Sequence, residues 1–267
     1  MIDLLLSTLV RTLAAGVLIF LPTAILAMLI QELSGKFERM AVRAIGRKGY
    51  MVVFGWLGSS VHELSHALMC KVFGHKVDHI QLFDLDPEGN RAGYVRHRYN
   101  TRSVYQKAGN FFIAVAPIFI GALVVYLAAM LLVPEILPWP SFQDIPESRL
   151  TGFLGVLLNT LHELVEWENY QNGAYYLFLY ILFCIGSSMK LSAADLKGVK
   201  TGGGILIGVL VAINLADLTV LSEAQMLPAI AGAMIGIYNI MLMVLIMNFI
   251  LLAPFLLLGS RSGKNRH

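Results

Sequence analysis

Residues 51–74 read MVVFGWLGSSVHELSHALMCKVFG, a stretch in which the uncharged run 51–61 leads straight into His62-Glu63-Leu64-Ser65-His66. The apolar length marks a buried helix, and the two histidines mark a chemistry. Four residues of helix turn through about 400°, which puts His62 and His66 roughly 40° apart on one face and about 6 Å apart along the axis. Two imidazoles so placed grip one metal ion. Glu63 projects about 100° away from His62, where it is poorly placed as a ligand but well placed to take a proton from a metal-bound water. The bland alternative is a helical hydrogen-bonded trio, since a five-residue word with two free positions recurs by chance. The surroundings weigh against it, because ionisable groups inside a membrane span are expensive and mark function by default.

Composition supports that setting. The chain of 267 residues is 57% hydrophobic and 14% charged, against about 25% charged in soluble domains. Apolar runs recur at 14–30, 51–74, 111–133, 174–186, 205–221 and 229–258. They predict an all-α, multi-pass membrane bundle of about six transmembrane helices in a lipid bilayer, with one short member. No polar stretch is long enough for a separate soluble domain. The expectation is a single unit over 1–267, with a core near 51–198 and flanking spans at 12–30, 205–222 and 229–258. The first run follows Asp3 and precedes Gln31-Glu32-Leu33 without a small-residue cleavage pattern, so it reads as a retained span. A formal net charge of +3, scattered along the chain, gives no argument for nucleic acid. Cys70 and Cys184 both fall in apolar runs and read as small buried hydrophobes.

Between the first two runs, Lys36, Arg39, Arg43, Arg47 and Lys48 interleave with Phe37, Met40, Val42 and Ile45. This is an interfacial amphipathic helix or a polar loop. After the motif, strand-like residues 78–83 and 92–99 flank Asp86-Pro87-Glu88-Gly89 and predict a small membrane-associated β-hairpin with a type I turn. Asp84, Asp86, Glu88 and Gly89 resemble a calcium loop, but its twelfth position is Val95, where a bidentate Glu belongs. With the hairpin and the C-terminus on one side, Lys and Arg number 14 there against 6 opposite. That bias orients the hairpin toward the cytoplasm, in a prokaryotic cell membrane.

Catalytic zinc takes three protein ligands and keeps a place for water. Asp195, in Gly-Ser-Ser-Met-Lys-Leu-Ser-Ala-Ala-Asp-Leu-Lys-Gly (186–198), returns to the side of the motif two spans later. Residues 187–194 read as irregular chain at membrane depth, tolerated where it lines a cavity. Ser192 and Asp195 also have the spacing of a helix N-cap and its third residue, which offers Asp195 a purely local role. Glu166, in His162-Glu163-Leu164-Val165-Glu166, is the rival ligand, on a helix that otherwise reads as a solvated face. Asp217, one turn after Asn214, is a third possibility, better explained by bonding within the bundle. Gly232 and Gly236 suggest close helix packing, Gly202-Gly203-Gly204 a relaxed segment before a span, and Asn239 and Asn248 bridges between helices.

The combination resembles the site-2 protease family of intramembrane zinc metalloproteases. The resemblance is carried by His62-Glu63-Leu64-Ser65-His66 in a span, the polar hairpin after it, Gly109-Asn110-Phe111 through Ala116-Pro117 to Gly121, and Asp195-Leu196-Lys197-Gly198. It covers roughly 51–198. It implies Zn2+ held by His62, His66 and Asp195, Glu63 as general base, and a membrane-protein substrate, a single-span or tethered signalling factor, presented by the hairpin as an added strand. The chain departs from the pattern where Ser187-Ser188-Met189-Lys190 stands in place of an Asn and Pro, and it has no PDZ-like insert. Two alternatives stay open: a non-peptidase membrane protein that retains the scaffold, and a prenyl-protein type of membrane protease with Glu as third ligand.

Overall fold

The computed structural model describes residues 2–85, 92–135, 155, 158, 161–215 and 226–262. Among these lie six long helices and one hairpin: α1 (Ile2–Tyr50), α2 (Trp56–Val72), β1 (Lys76–Gln81), β2 (Tyr94–Arg98), α3 (Val104–Leu132), α4 (Gly173–Gly186), α5 (Ala193–Leu215) and α6 (Met226–Ser262). Two of them, over Val104–Leu132 and Met234–Ala253, are long and apolar enough to cross a membrane, and α4 is a shorter apolar helix. A core of Ala27 and Ile30 from α1, Ile118 to Ala129 from α3, Tyr175 to Ile185 from α4 and Ile240 to Val244 from α6 joins these helices.

The basic segment after the first apolar run is helix, not loop. α1 continues through it until Gly46, whose φ of 73° is open to glycine at little cost and breaks the helix. Phe37 and Ala41 are buried beside Phe183, Cys184 and Leu252. The Phe37 ring meets Phe54 and Phe183 edge-on, with centroids 5.4 and 4.9 Å away. A π-helical turn, Met51–Gly55, then leads into α2.

Cross-helix pairs fix the directions. Val53 with Tyr180, Gly58 with Cys184 and His62 with Ser188 advance together, so α2 and α4 are parallel. His66 meets Ile113 while Val72 meets Tyr105, so α3 runs against α2. Gly198 lies on Asn110 and Ala114, and Gly202 on Ala108 and Phe111, so α5 runs against α3. α4 and α5 therefore point the same way, joined by the irregular residues 187–192. This differs from the alternating directions that a bundle of six successive spans implies. Gly186 with Val244 and Ser187 with Asn248 bring α6 against the end of α4.

Two glycine readings change. Gly202-Gly203-Gly204 is inside α5 and relaxes nothing; a Cβ on Gly202 would stand 2.3 Å from the Phe111 backbone N, and one on Gly198 would stand 3.0 Å from the Asn110 carbonyl. Gly198 and Gly202 are the four-residue glycine pair that lets two helix backbones approach. Gly236 does not act so among the described residues, where a Cβ there meets nothing within 4 Å. Asn248 does bridge helices, through Ser187 Oγ, whereas the buried Asn239 Oδ1 has no hydrogen-bond partner among the described residues.

The predicted hairpin forms close to its expected bounds, antiparallel, with Lys76 opposite Arg98, Gln81 opposite Tyr94 and a bulge between Val77 and His79. Its turn, with residues 86–89 of the acidic cluster, falls outside the described residues, whereas Asp84 is described and accepts from Gln81 Nε2 at 3.1 Å. Gly74, at φ 68°, ends α2 in a left-handed cap, with the His75 N–H bonded to the Cys70 carbonyl. The turn end of the hairpin is tied to α2 by Ser59 Oγ, which donates to the Leu82 carbonyl at 2.8 Å.

Candidate metal centre

Two helices converge one turn past Gly58. α2 supplies His62 and His66, and α5 supplies Asp195 from its first turn. The His66 and His62 Nε2 atoms are 3.1 Å apart. Asp195 Oδ1 is 3.4 Å from His66 Nε2, and Oδ2 is 3.9 Å from His62 Nε2. His66 and Asp195 are buried, and His62 is partly so. Donor atoms of a tetrahedral zinc site sit roughly 3.3 Å from each other, given metal–ligand bonds of about 2.0–2.1 Å. The observed spacing fits that geometry, and the group can hold a metal ion.

The hydrogen bonds behind the imidazoles sharpen the point. His62 Nδ1 lies 2.8 Å from the Ser188 carbonyl, and His66 Nδ1 lies 2.8 Å from the Ile113 carbonyl. A carbonyl only accepts, so each Nδ1 carries the proton and, in the neutral ring, each Nε2 presents a lone pair. Two lone pairs face each other with a carboxylate alongside. That arrangement is repulsive unless a proton or a cation sits between them, and it is the tautomer that metal-ligating histidines adopt.

Sequence explains why the Ile113 carbonyl is available. Pro117 stands four residues on and has no N–H, so the helical bond that Ile113 would accept is missing. The freed carbonyl takes His66 instead. Ser188 lies in the irregular stretch after α4, where its carbonyl accepts from both His62 and the Lys190 N–H.

Asp195 does both jobs that its spacing allowed. Its Oδ2 accepts from the Ser192 N–H at 2.7 Å, and its own N–H donates to Ser192 Oγ at 3.2 Å, a reciprocal cap on α5. Oδ1 is the oxygen nearer to His66. The cap thereby orients the ligand. Glu63 is on the flank facing the hairpin, where a Cβ on Gly93 would approach its Cγ to 2.8 Å. Its carboxylate is close enough to Asp195 for the two charges to interact.

The rival Glu166 is elsewhere, paired with His162 at 3.2 Å on an exposed face, as a solvated helix predicts. Asp217 lies outside the described residues. Sequence reading missed the two backbone carbonyls; Pro117 was the legible signal for that of Ile113. It also missed a second donor group, Cys70, His75 and His97. Comparison of the chain with family models, curated proteins and solved structures returns no match.

Proposed function

We propose that the chain is an integral, multi-pass membrane zinc endopeptidase that hydrolyses a peptide bond in or near a transmembrane segment of another membrane protein. The observation that carries this reading is the convergence of His62, His66 and Asp195, with both Nδ1 atoms committed to carbonyls and Glu63 beside them. Zn2+ held by these three residues supplies Lewis acidity toward water and toward a scissile carbonyl. Glu63 is the general base: its carboxylate takes the proton of the attacking water and hands it to the leaving amine. Ser188 and Ile113 hold the imidazoles in the ligating tautomer, and Ser192 holds Asp195.

The bilayer setting is supported by the outward face of α2. Leu64, Leu68 and Val72 recur every four residues on it and are exposed, while His66, Ser65 and Cys70 face inward. Exposed Leu123, Leu127, Met130 and Leu131 extend an apolar surface along α3. Irregular chain at 187–192 is compatible with membrane depth because it lines the metal cluster. The hairpin side is assigned to the cytoplasm on the seven Lys and Arg between Lys71 and Lys107. Just beyond the strands, Gly93 lies over Glu63 and Leu82 is bonded to Ser59, which suits presentation of an unwound substrate segment along the hairpin.

The test is cleavage of single-span membrane substrates by purified, zinc-loaded protein. Glu63→Gln should retain metal and lose about 10²–10⁴-fold in rate; an unimpaired variant overturns the assignment. Comparing membrane precursors between cells carrying the parent chain and the variant then finds the substrate.

A further inference from the structure

The inward face of α2 carries one more rung after His62 and His66. Cys70 follows His66 by four residues and is fully buried. Beside it lie His75, from the turn that ends α2, and His97, from β2; the donor atoms of all three are within 4.8 Å of one another. His75 is 5% exposed, buried at a depth where an imidazole needs partners.

The hydrogen bonds repeat the pattern of the first centre. His75 Nε2 lies 2.8 Å from the Gln106 carbonyl and therefore donates to it, which leaves the lone pair on Nδ1 in the neutral ring. That Nδ1 faces His97 Nδ1 at 3.1 Å. Tyr99 stacks on the other side of His75, with centroids 5.0 Å apart, and restricts its ring. A metal-free explanation needs only an N–H···N bond from His97 to His75, with Cys70 as a bystander. It leaves unexplained why a thiol and two imidazoles from three different segments meet at one buried point.

We propose that Cys70 Sγ, His75 Nδ1 and His97 Nδ1 form a second metal site, selective for a zinc-type divalent transition ion by its one thiolate and two imidazoles. Binding releases the Cys70 proton, and the ion takes its place. Because the ligands come from α2, the following turn and β2, the ion clips the hairpin to the motif helix and so fixes the chain that covers Glu63. The site stands independently of the proteolytic reading, since it shares no ligand with His62, His66 and Asp195.

Cobalt exchange of the full chain in detergent tests it. The first centre has no sulfur, and the chain has only two cysteines. Cobalt-saturated protein should show thiolate-to-cobalt charge-transfer absorption that survives Cys184→Ser and His62→Ala, disappears in Cys70→Ser, and needs at least about 10-fold more cobalt in His97→Ala. Absence of the band in the unmodified chain, or its survival in Cys70→Ser, overturns the proposal. X-ray absorption of the zinc-loaded unmodified chain guards against a variant that fails to fold: sulfur near 2.3 Å from zinc is expected, and a purely nitrogen and oxygen shell refutes the site.

Discussion

The two donor groups on α2 are built alike and placed differently. In each, an imidazole gives one nitrogen to a backbone carbonyl and turns the other toward a second imidazole 3.1 Å away. In the first, the third ligand is a carboxylate from a distant helix, and a further carboxylate stands by. In the second, it is a thiol from α2 itself, and no carboxylate belongs to the group. The difference separates chemistry from fastening. A general base beside a metal ion suits hydrolysis, whereas a thiolate and two imidazoles that join a helix, a turn and a strand suit a clip.

Variants that hit one group and spare the other sharpen that contrast. Glu63→Gln has the largest expected effect, about 10²–10⁴-fold on cleavage, with both metals retained by elemental analysis. Pro117→Ala comes next. Restoring the N–H at 117 lets it compete for the Ile113 carbonyl, so zinc affinity at the first centre should fall about 10–100-fold in a competition titration. The helix itself should become more stable, and the thiolate–cobalt signal should not move. An unchanged affinity would mean that the His66 hydrogen bond does not depend on the missing helical one.

Gly202→Ala acts through packing. Its Cβ has no room against the Phe111 backbone, so α5 must shift with Asp195 on its first turn. Overpacking of this kind costs about 1–3 kcal/mol, read as a lower thermal midpoint, and only the first centre should weaken. The smallest effect belongs to Asp78→Asn. Arg98 donates two hydrogen bonds of 2.7 Å to the Asp78 carboxylate and holds its pKa below the ordinary 3.8. The folded pKa is depressed, so this pair's contribution is present above 3.8 and is lost as pH falls through the folded value. The pair is exposed, so salt should erase the slight loss of hairpin order seen by proteolysis in low salt.

The motif helix and its metal-facing residues were legible because helical periodicity alone fixes which side chains share a face. Asp195 was legible in kind but ambiguous in role, and its two roles prove compatible: one oxygen caps while the other points at His66. What escaped were relations between segments. The parallel run of α4 and α5 depends on Gly58, Gly198 and Gly202 letting backbones approach, and hydropathy, which assigns alternate crossings, is blind to that. The Ser188 carbonyl has no side-chain signature, and the Ile113 carbonyl is signalled only indirectly, by Pro117 four residues on. Cys70, read as a small hydrophobe, gains meaning only when β2 brings His97 to it.

The shared carboxylate of Asp195 makes metal occupancy and the order of α5 thermodynamically linked. An ion that draws on Oδ1 also holds Oδ2 against the Ser192 N–H, so binding should slow hydrogen exchange in the first turn of α5. By reciprocity, any contact that steadies that turn raises affinity for the ion. If the proposed function holds, a substrate segment that settles against residues 187–192 would tighten the centre's grip on its ion, and that grip would be loosest when no substrate is bound.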